Sequence, residues 1–510
     1  MSYLCDGLEN GFDTLIATEP SQSKTCKNLL SALKQPEVVD TLIQTELDND
    51  FLQGPFDHPP FQKFRVSPIG IAEGKYSGKK RLIVDLSSPH DDQKHESINS
   101  LIDKDMCSLS YVKIDDAIKA IKNQGKGAIL CKTDISNAFK LLPIKPEQMP
   151  FFMIKWRESY YVYTRLVFGC RSSPKIFDNL SQAICWIAEN NYGVSIIFHL
   201  LDDFLTVQSP DSDGYRTMAL LTHIFGKIQV PLSKSKTVGP TSVLEYLGIV
   251  LDSERMEARL PRDKIQRIIE FITKLLNRKS CTKRELLQLL GHFNFASRVI
   301  APGRSFVSYL INISTSAKKL HHYIHLSKAC KEDLLMWLHF LEKWNGISMF
   351  YEDKYCTSEA MKLFTDASSK LGFSAYFNGQ WFCESWPNNM GDNVSMAFRE
   401  LYPIVAAAVL WGEQWKCKQI IFLCDNEATV NILNKGRSKC LLIMKLMRNM
   451  TWIAVKNNFT FKARHIFGKS NIVADALSRF QMERFRKAAP SANQYPEKCP
   501  PATEIFWNSQ

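Results

Sequence analysis

Only two residues, Asp202 and Asp203, separate the apolar runs 194–201 and 204–207. Apolar runs of that length bounded by a turn read as buried strands, so the two acids sit at the tip of a buried hairpin. An acid pair between strands, taken alone, marks no more than a solvated turn. The chain also supplies Asp134, at the end of another apolar run, 128–134. Three carboxylates gathered on one sheet repel each other unless cations lie between them. Hard oxygen donors without His or Cys suit Mg²⁺ better than Zn²⁺. Two such ions about 3.5–4 Å apart would activate an attacking oxygen and stabilise a leaving one.

With 510 residues the chain exceeds what one hydrophobic core normally holds, so two to four domains are expected. Hydrophobic residues at 45% and charged residues at 23% describe a globular chain rather than a disordered one. The formal charge of +12 favours a polyanionic partner. The 14 cysteines are scattered without a C-x-x-C pair, which argues against a zinc ribbon and a disulfide scaffold. The longest apolar stretch, near 401–411, is too short to span a bilayer, and the N-terminus lacks the pattern of a secretory signal. The expectation is an intracellular, reduced protein of the cytoplasm and/or nucleus, with no membrane partner.

Residues 1–55 show no strong periodicity and read as a weakly structured N-terminal leader. The Gly- and Lys-rich stretch 74–81 reads as a hairpin leading into a strand at 81–85, and 151–154 with 160–163 as a second hairpin. A helix is predicted over about 175–189. In 261–304, Ile265, Ile268, Ile269, Ile272, Leu275 and Leu276 repeat at helical spacing, and Thr282 with Glu285 forms a capping box. That segment carries ten Lys/Arg against three Asp/Glu, a net +7, more than half of the chain's excess. Basic faces on paired helices would grip phosphates without reading bases. From residue 361 the pattern restarts as three strands, a helix at 396–411, a strand at 420–424 and a helix at 440–455. The end is a basic, then Pro-rich and extended, tail.

A second set of acids lies in this last region. Asp366, Glu400, Asp425 and Asp475 each stand in apolar or element-boundary contexts, where an acid is costly unless paired or bound to metal. A buried salt bridge explains any one of them. For all four it strains, because Arg and Lys are not interleaved at matching places.

Thr133-Asp134-Ile-Ser-Asn-Ala-Phe139, Phe168-Gly169 with Ser173-Pro174, Leu200-Leu-Asp-Asp203 and Leu244-Glu-Tyr-Leu-Gly248 follow one another in the order of reverse transcriptase palm motifs, which this chain resembles. Arg81-Leu-Ile-Val-Asp85 precedes them, where the fingers belong. Asp85-Leu-Ser-Ser-Pro89, the segment 256–261 and Ala474-Asp-Ala-Leu-Ser-Arg479 resemble most the retrotransposons of the DIRS type, those with a tyrosine recombinase. The order strand-Asp, helix-Glu, strand-Asp, helix-Asp, with His465-Ile-Phe-Gly-Lys-Ser-Asn471, resembles ribonuclease H.

The resemblance implies an α+β fold: a right-hand polymerase of fingers, palm and thumb, followed by an α/β ribonuclease H-like domain. The implied boundaries are 56–260 for fingers and palm, 261–355 for thumb and connection, 359–480 for the nuclease and 481–510 for the tail. It implies Asp134, Asp202 and Asp203 as ligands of two Mg²⁺, with Mn²⁺ as the alternative ion. Phe139 would be the steric gate against ribose 2′-hydroxyls; without the motif it reads equally well as a core aromatic. Arg81 and Lys75 would contact the triphosphate, although such a cluster is otherwise a solvated hairpin tip. Phe168 and Gly169 would line the substrate, and Lys236 lies where a lysine protonates pyrophosphate. In the second set, Asp366, Glu400, Asp425 and Asp475 would hold two Mg²⁺, and His465 would assist proton transfer or product release, or be a plain surface histidine.

The implied activity is RNA-directed DNA polymerase with ribonuclease H. The implied partners are RNA template, DNA primer, RNA/DNA hybrid and dNTPs. Leu200, Phe168 and Asn137 depart from common residues of the family, but no metal ligand is missing. Two other readings stay open: an inactive nucleic-acid-binding derivative, and a nuclease with an unproductive palm. Oligomeric state, natural primer and template are not legible.

Overall fold

The structure is a computed structural model, and it describes residues 2–74, 78–90, 95–344, 347–348, 355–358, 360–386 and 394–507. The chain divides into two compact units, Met1–Tyr246 and Leu247–Gln510. Among the described residues no helix is long and apolar enough to cross a membrane.

In the first unit the N-terminal residues are folded, contrary to the weakly structured leader expected from their sequence. Ser2–Asn10 and Pro36–Asp48 are helices, the latter opened by Pro36, whose fixed φ suits a first helical position. Phe12 is 1% exposed and its backbone bonds to Pro143 and Lys145. Lys24–Thr25 and Leu52–Phe56 form the two edges of a five-stranded sheet completed by Arg65–Ser67, Met153–Trp156 and Ser159–Tyr163. These residues gain their order from partners far along the chain, which local periodicity does not reveal.

Ile69–Glu73 and Lys80–Val84 pair antiparallel; the expected strand at 81–85 is the second of the two, and residues 75–77 of the expected hairpin 74–81 lie outside the described residues. A four-stranded antiparallel sheet follows, in the order Val238–Thr241, Ile129–Asp134, Asp203–Gln208, Ile197–Leu200. Side chains alternate across it. Cys131 and Phe204 face the helices: the Cys131 thiol approaches the Gly214 carbonyl at 3.8 Å, and Phe204 meets Phe225 edge-on at 5.3 Å. Residues of the other parity, Lys132 and Asp134, point to the opposite face. The helices Ile114–Gln124, Ser173–Tyr192 and Gly214–Lys227 pack on the sheet.

In the second unit the antiparallel strands Ile249–Asp252 and Glu257–Arg259 precede Arg262–Leu276 and Lys283–Ala296, the two basic helices expected from their periodicity. The capping box is formed: Thr282 Oγ1 accepts from Glu285 N at 3.2 Å, and Glu285 Oε2 accepts from Thr282 N at 2.9 Å. Phe293 stacks on Trp337 of the helix Lys328–Lys343 at 4.2 Å. The strands Leu363–Ala367, Gly372–Phe377 and Gln380–Ser385 form an antiparallel ladder, and Tyr355–Thr357, Gln419–Cys424 and Thr460–His465 a parallel one. The helix Met396–Trp411, buried almost all round, packs on the first ladder and on Leu441–Lys456.

The helix Glu427–Lys435 and the strand Thr460–His465 are among the elements that went unread in the sequence. That strand is polar, and it is ordered by its pairing along Gln419–Cys424. The C-terminal residues are also more than a tail. Met482–Ala488 and Ala502–Ile505 are helical, Glu497 N donates to Trp381 O at 2.7 Å, and Ile505 is fully buried. Asn449 Nδ2 secures the end by donating to the carbonyls of Glu504 and Ile505.

Candidate active sites

The first site grows from strand register. Asp203 stands directly opposite Asp134 in the antiparallel pair, so both carboxylates leave the sheet on the same side. Asp202 occupies the turn between Ile197–Leu200 and Asp203–Gln208, after Leu201 at φ 55°. A non-glycine residue with that backbone is strained and persists only where its surroundings hold it. Here they do: Ser181 Oγ donates to Leu201 O at 2.8 Å, and Ile135 N donates to Asp202 O at 2.9 Å. His199, just before the turn, is tied by Nε2 to Asp178 at 3.1 Å.

Two ammonium groups meet these carboxylates. Lys236 Nζ donates to both oxygens of Asp134 at 2.9 Å. Lys132 Nζ lies 3.1 Å from Asp203 Oδ1, a buried oxygen that receives no hydrogen bond. Burial raises the pKa of Asp202, its own backbone hydrogen bond opposes this, and Asp134 adds to the rise. Burial likewise raises Asp203, with Lys132 pulling the other way. Three buried or half-buried carboxylates, offering oxygen donors alone, fit divalent hard cations, and burial pushes up both Asp202 and Asp203. Lys132 and Ser181 were not singled out in the sequence. Lys132 sits two residues before Asp134 on the same strand, so the alternation of the strand was the available signal.

Phe139 is 8% exposed, packed against Phe168 at 4.7 Å and Phe177 at 5.4 Å. Phe168 is half exposed, so the pair presents Phe168 to solvent and keeps Phe139 against the core. Asn137 carries φ 60°, a left-handed backbone that Asn accepts more readily than most residues. Gly169 has φ +101°, and a Cβ there would lie 2.8 Å from Val84 O. Asn99, also missed in the sequence, donates to Gly169 O and accepts from Arg171 N, fixing this loop. Arg81 is exposed and stands opposite Ala72 in the hairpin; among the described residues no ion pair joins it to the three aspartates. Lys75 lies outside the described residues.

The second site gathers acids from four elements. Asp366 comes from a strand, Glu400 from the buried helix, Asp425 from the end of Gln419–Cys424, and Asp475 from the helix Ile472–Ser478. Glu400 is 5% exposed; burial, then Asp366 and Asp425, push its carboxyl up to about 9. Asp366 is pushed up to about 6 by burial, with Ser478 Oγ, which donates to it, opposing and Asp425 and Asp475 adding. Ligand atoms of Glu400, Cys424 and Asp425 lie within 4.8 Å of one another. The Cys424 thiol is itself pushed up to about 12 by burial and stays protonated, so oxygen remains the donor. Such mutual repulsion is relieved by a hard cation.

Asp475 differs. Burial raises its pKa, but hydrogen bonds from Arg479 at 2.7 Å and Arg484 at 2.6 Å prevail and lower it. His465 is exposed, with Nε2 3.1 Å from the Asp425 carbonyl oxygen. Gly468 belongs to the same corner, since a Cβ there would approach Asp425 Oδ2 to 2.8 Å.

Residues 59–251 match the family model of reverse transcriptase (RNA-dependent DNA polymerase). The putative enzymatic polyprotein of Cassava vein mosaic virus is 21% identical over 448 residues, which take in 82% of this chain and 63% of that protein. The chain thus spans less than two thirds of that relative's length. The structure of the foamy viral protease-reverse transcriptase dRH in complex with ds DNA shares the fold, with a TM-score of 0.51 and 16% identity over 88% of this chain and 73% of the other. The foamy viral protease-reverse transcriptase in complex with RNA/DNA hybrid aligns with a TM-score of 0.48 and 15% identity, over 88% and 56%.

Proposed function

We propose, from the reverse transcriptase domain at residues 59–251 as premise, that this chain copies RNA into DNA and that its second unit cuts the RNA of the resulting hybrid. The observation that carries this reading is the cross-strand pairing of Asp134 with Asp203 beside the strained turn at Asp202. The substrates are an RNA template, a DNA primer and dNTPs. The motifs around Asp85–Pro89 and Ala474–Arg479 are what supports a parent element of the DIRS type.

In the first site Asp134, Asp202 and Asp203 would hold Mg²⁺, or Mn²⁺ in its place. Those cations would supply activation of the primer 3′-hydroxyl and charge stabilisation of the leaving pyrophosphate. The hydrogen bonds to Leu201 and Asp202 keep the turn in place while the primer end shifts. Lys236, more than half exposed, can leave Asp134 for a phosphate oxygen. Arg81, with Lys75, screens the triphosphate. Phe139, backed by Phe177, has no room to retreat and would exclude a 2′-hydroxyl. In the second site Asp366, Glu400, Asp425 and Asp475 form a ribonuclease H centre, with His465 at its rim able to carry a proton.

Primer extension on a primed, end-labelled RNA with Mg²⁺ and dNTPs tests both halves. Extension with shortened RNA is expected. Cleavage without extension would leave a nuclease with an unproductive palm. Neither signal, from folded protein that binds hybrid, would leave a nucleic-acid-binding derivative.

A further inference from the structure

The two lysines at the first site are not equivalent. Lys236 reaches Asp134 from the loop after Ser233, and its side chain is 58% exposed. Lys132 rises from the central strand itself, on the same face as Asp134 and diagonal to Asp203. Its side chain is 16% exposed, and its ammonium also donates to the Glu245 carbonyl at 3.2 Å. One cation lies mostly in solvent. The other is built into the sheet and stays beside Asp203.

A fixed ammonium neutralises the carboxylate it touches and repels any divalent cation brought to the same place. Among the described residues Asp202 makes no ion pair, by contrast, and Asp134 is matched by the exposed Lys236. We propose that Lys132 is a positioning residue of the polymerase site, a permanent countercharge that holds Asp203 in place and weakens the grip of the three carboxylates on divalent cations. This inference rests on the polymerase reading. It implies that the site binds divalent cations more weakly than three free carboxylates would, and that removing the lysine tightens binding.

Fe²⁺-mediated backbone cleavage reads this locally, because cuts near residues 134 and 202 report the first site apart from the second. The full chain is loaded with Fe²⁺ and ascorbate, without nucleic acid, and Mg²⁺ is titrated until those cuts fall by half. Lys132→Met is expected to lower the half-suppressing Mg²⁺ concentration about tenfold, the order expected of one unit charge beside a divalent ion in a partly solvated site. Lys132→Arg should stay within about twofold of the parent chain, since it keeps the charge. Lys132→Met with Asp203→Asn should lose the gain, because the freed carboxylate is gone.

An unchanged or higher Mg²⁺ requirement in Lys132→Met, in protein whose cuts near the second site are normal, would overturn the inference and leave the polymerase reading standing. An equal gain with Asp203→Asn present would also overturn it. If the parent chain gives no cuts near 134 and 202, and Asp134→Asn looks the same, the polymerase reading itself fails.

Discussion

Glu400 shows how far a single side chain is held from its solution chemistry. In the unfolded chain it loses its proton near the ordinary value of 4.5; in the folded chain it keeps it to about 9. Asp366 keeps its proton to about 6. The unfolded state therefore binds fewer protons throughout this window, and stability falls as pH rises. Calorimetry in EDTA should show the second unit unfolding at progressively lower temperature from about pH 5 to pH 9, at up to about 1.4 kcal/mol per pH unit for each group. Glu400→Gln should flatten the slope above pH 6, and Mg²⁺ should recover much of the loss in the parent chain. A slope unaltered by Glu400→Gln would contradict the assignment.

Phe139 is the other residue whose surroundings decide its behaviour. It is nearly buried, so Phe139→Ala opens a cavity and is expected to cost about 3 kcal/mol or more by denaturant titration. The same change should raise ribonucleotide incorporation relative to dNTPs by at least about tenfold. Unchanged sugar discrimination would return Phe139 to the role of core aromatic, which its sequence context left equally open. The motif made the residue visible; its contacts with Phe168 and Phe177 came only with the fold.

Among elements, the loop at Phe168-Gly169 and the 80–84 strand are locked together by backbone geometry. Gly169→Ala combines φ +101° with a Cβ set 2.8 Å from Val84 O, so it should destabilise the first unit by about 1–3 kcal/mol and lower dNTP incorporation with it. A neutral result by chemical denaturation would mean the strand moves to make room. Elements with strong local signals were legible: the strand Lys80–Val84, the strand Ile129–Asp134, the basic helices and the capping box at Thr282. Asn99, Lys132 and the polar strand Thr460–His465 were not. Each depends on a partner tens of residues away; only Lys132, two residues before Asp134 on one strand, carries a local hint of its face.

On the scale of the whole molecule, the two carboxylate sites lie in different compact units and should fail separately. Asp202→Asn with Asp203→Asn should reduce dNTP incorporation to background while leaving hybrid cleavage within about twofold. Asp425→Asn should do the reverse. Equal damage to both activities by either change would count against two independent centres. The second unit depends on long-range ties of its own: Asp333, fully buried, accepts from Arg437 and Arg448 at 3.0 Å, joining Lys328–Lys343 to the C-terminal half. The segment after residue 480 adds to that packing through Ile505 and the bonds of Asn449.

The sequence alone determined which residue types could gather: carboxylates at the ends of apolar strands, on an apolar helix and at turn positions, because acids in such places demand a cation or a partner. It also determined the helices and hairpins whose period and caps are local. Tertiary structure decided which cation meets which acid, with Lys132 on Asp203, Lys236 on Asp134, and Arg479 with Arg484 on Asp475. It decided as well that Ser2–Asn10 and Pro36–Asp48 are helices and that Lys24–Thr25 joins a sheet. Strand register and long-range pairing set those contacts, and a one-residue slip in register would turn Asp134 and Lys132 into the core.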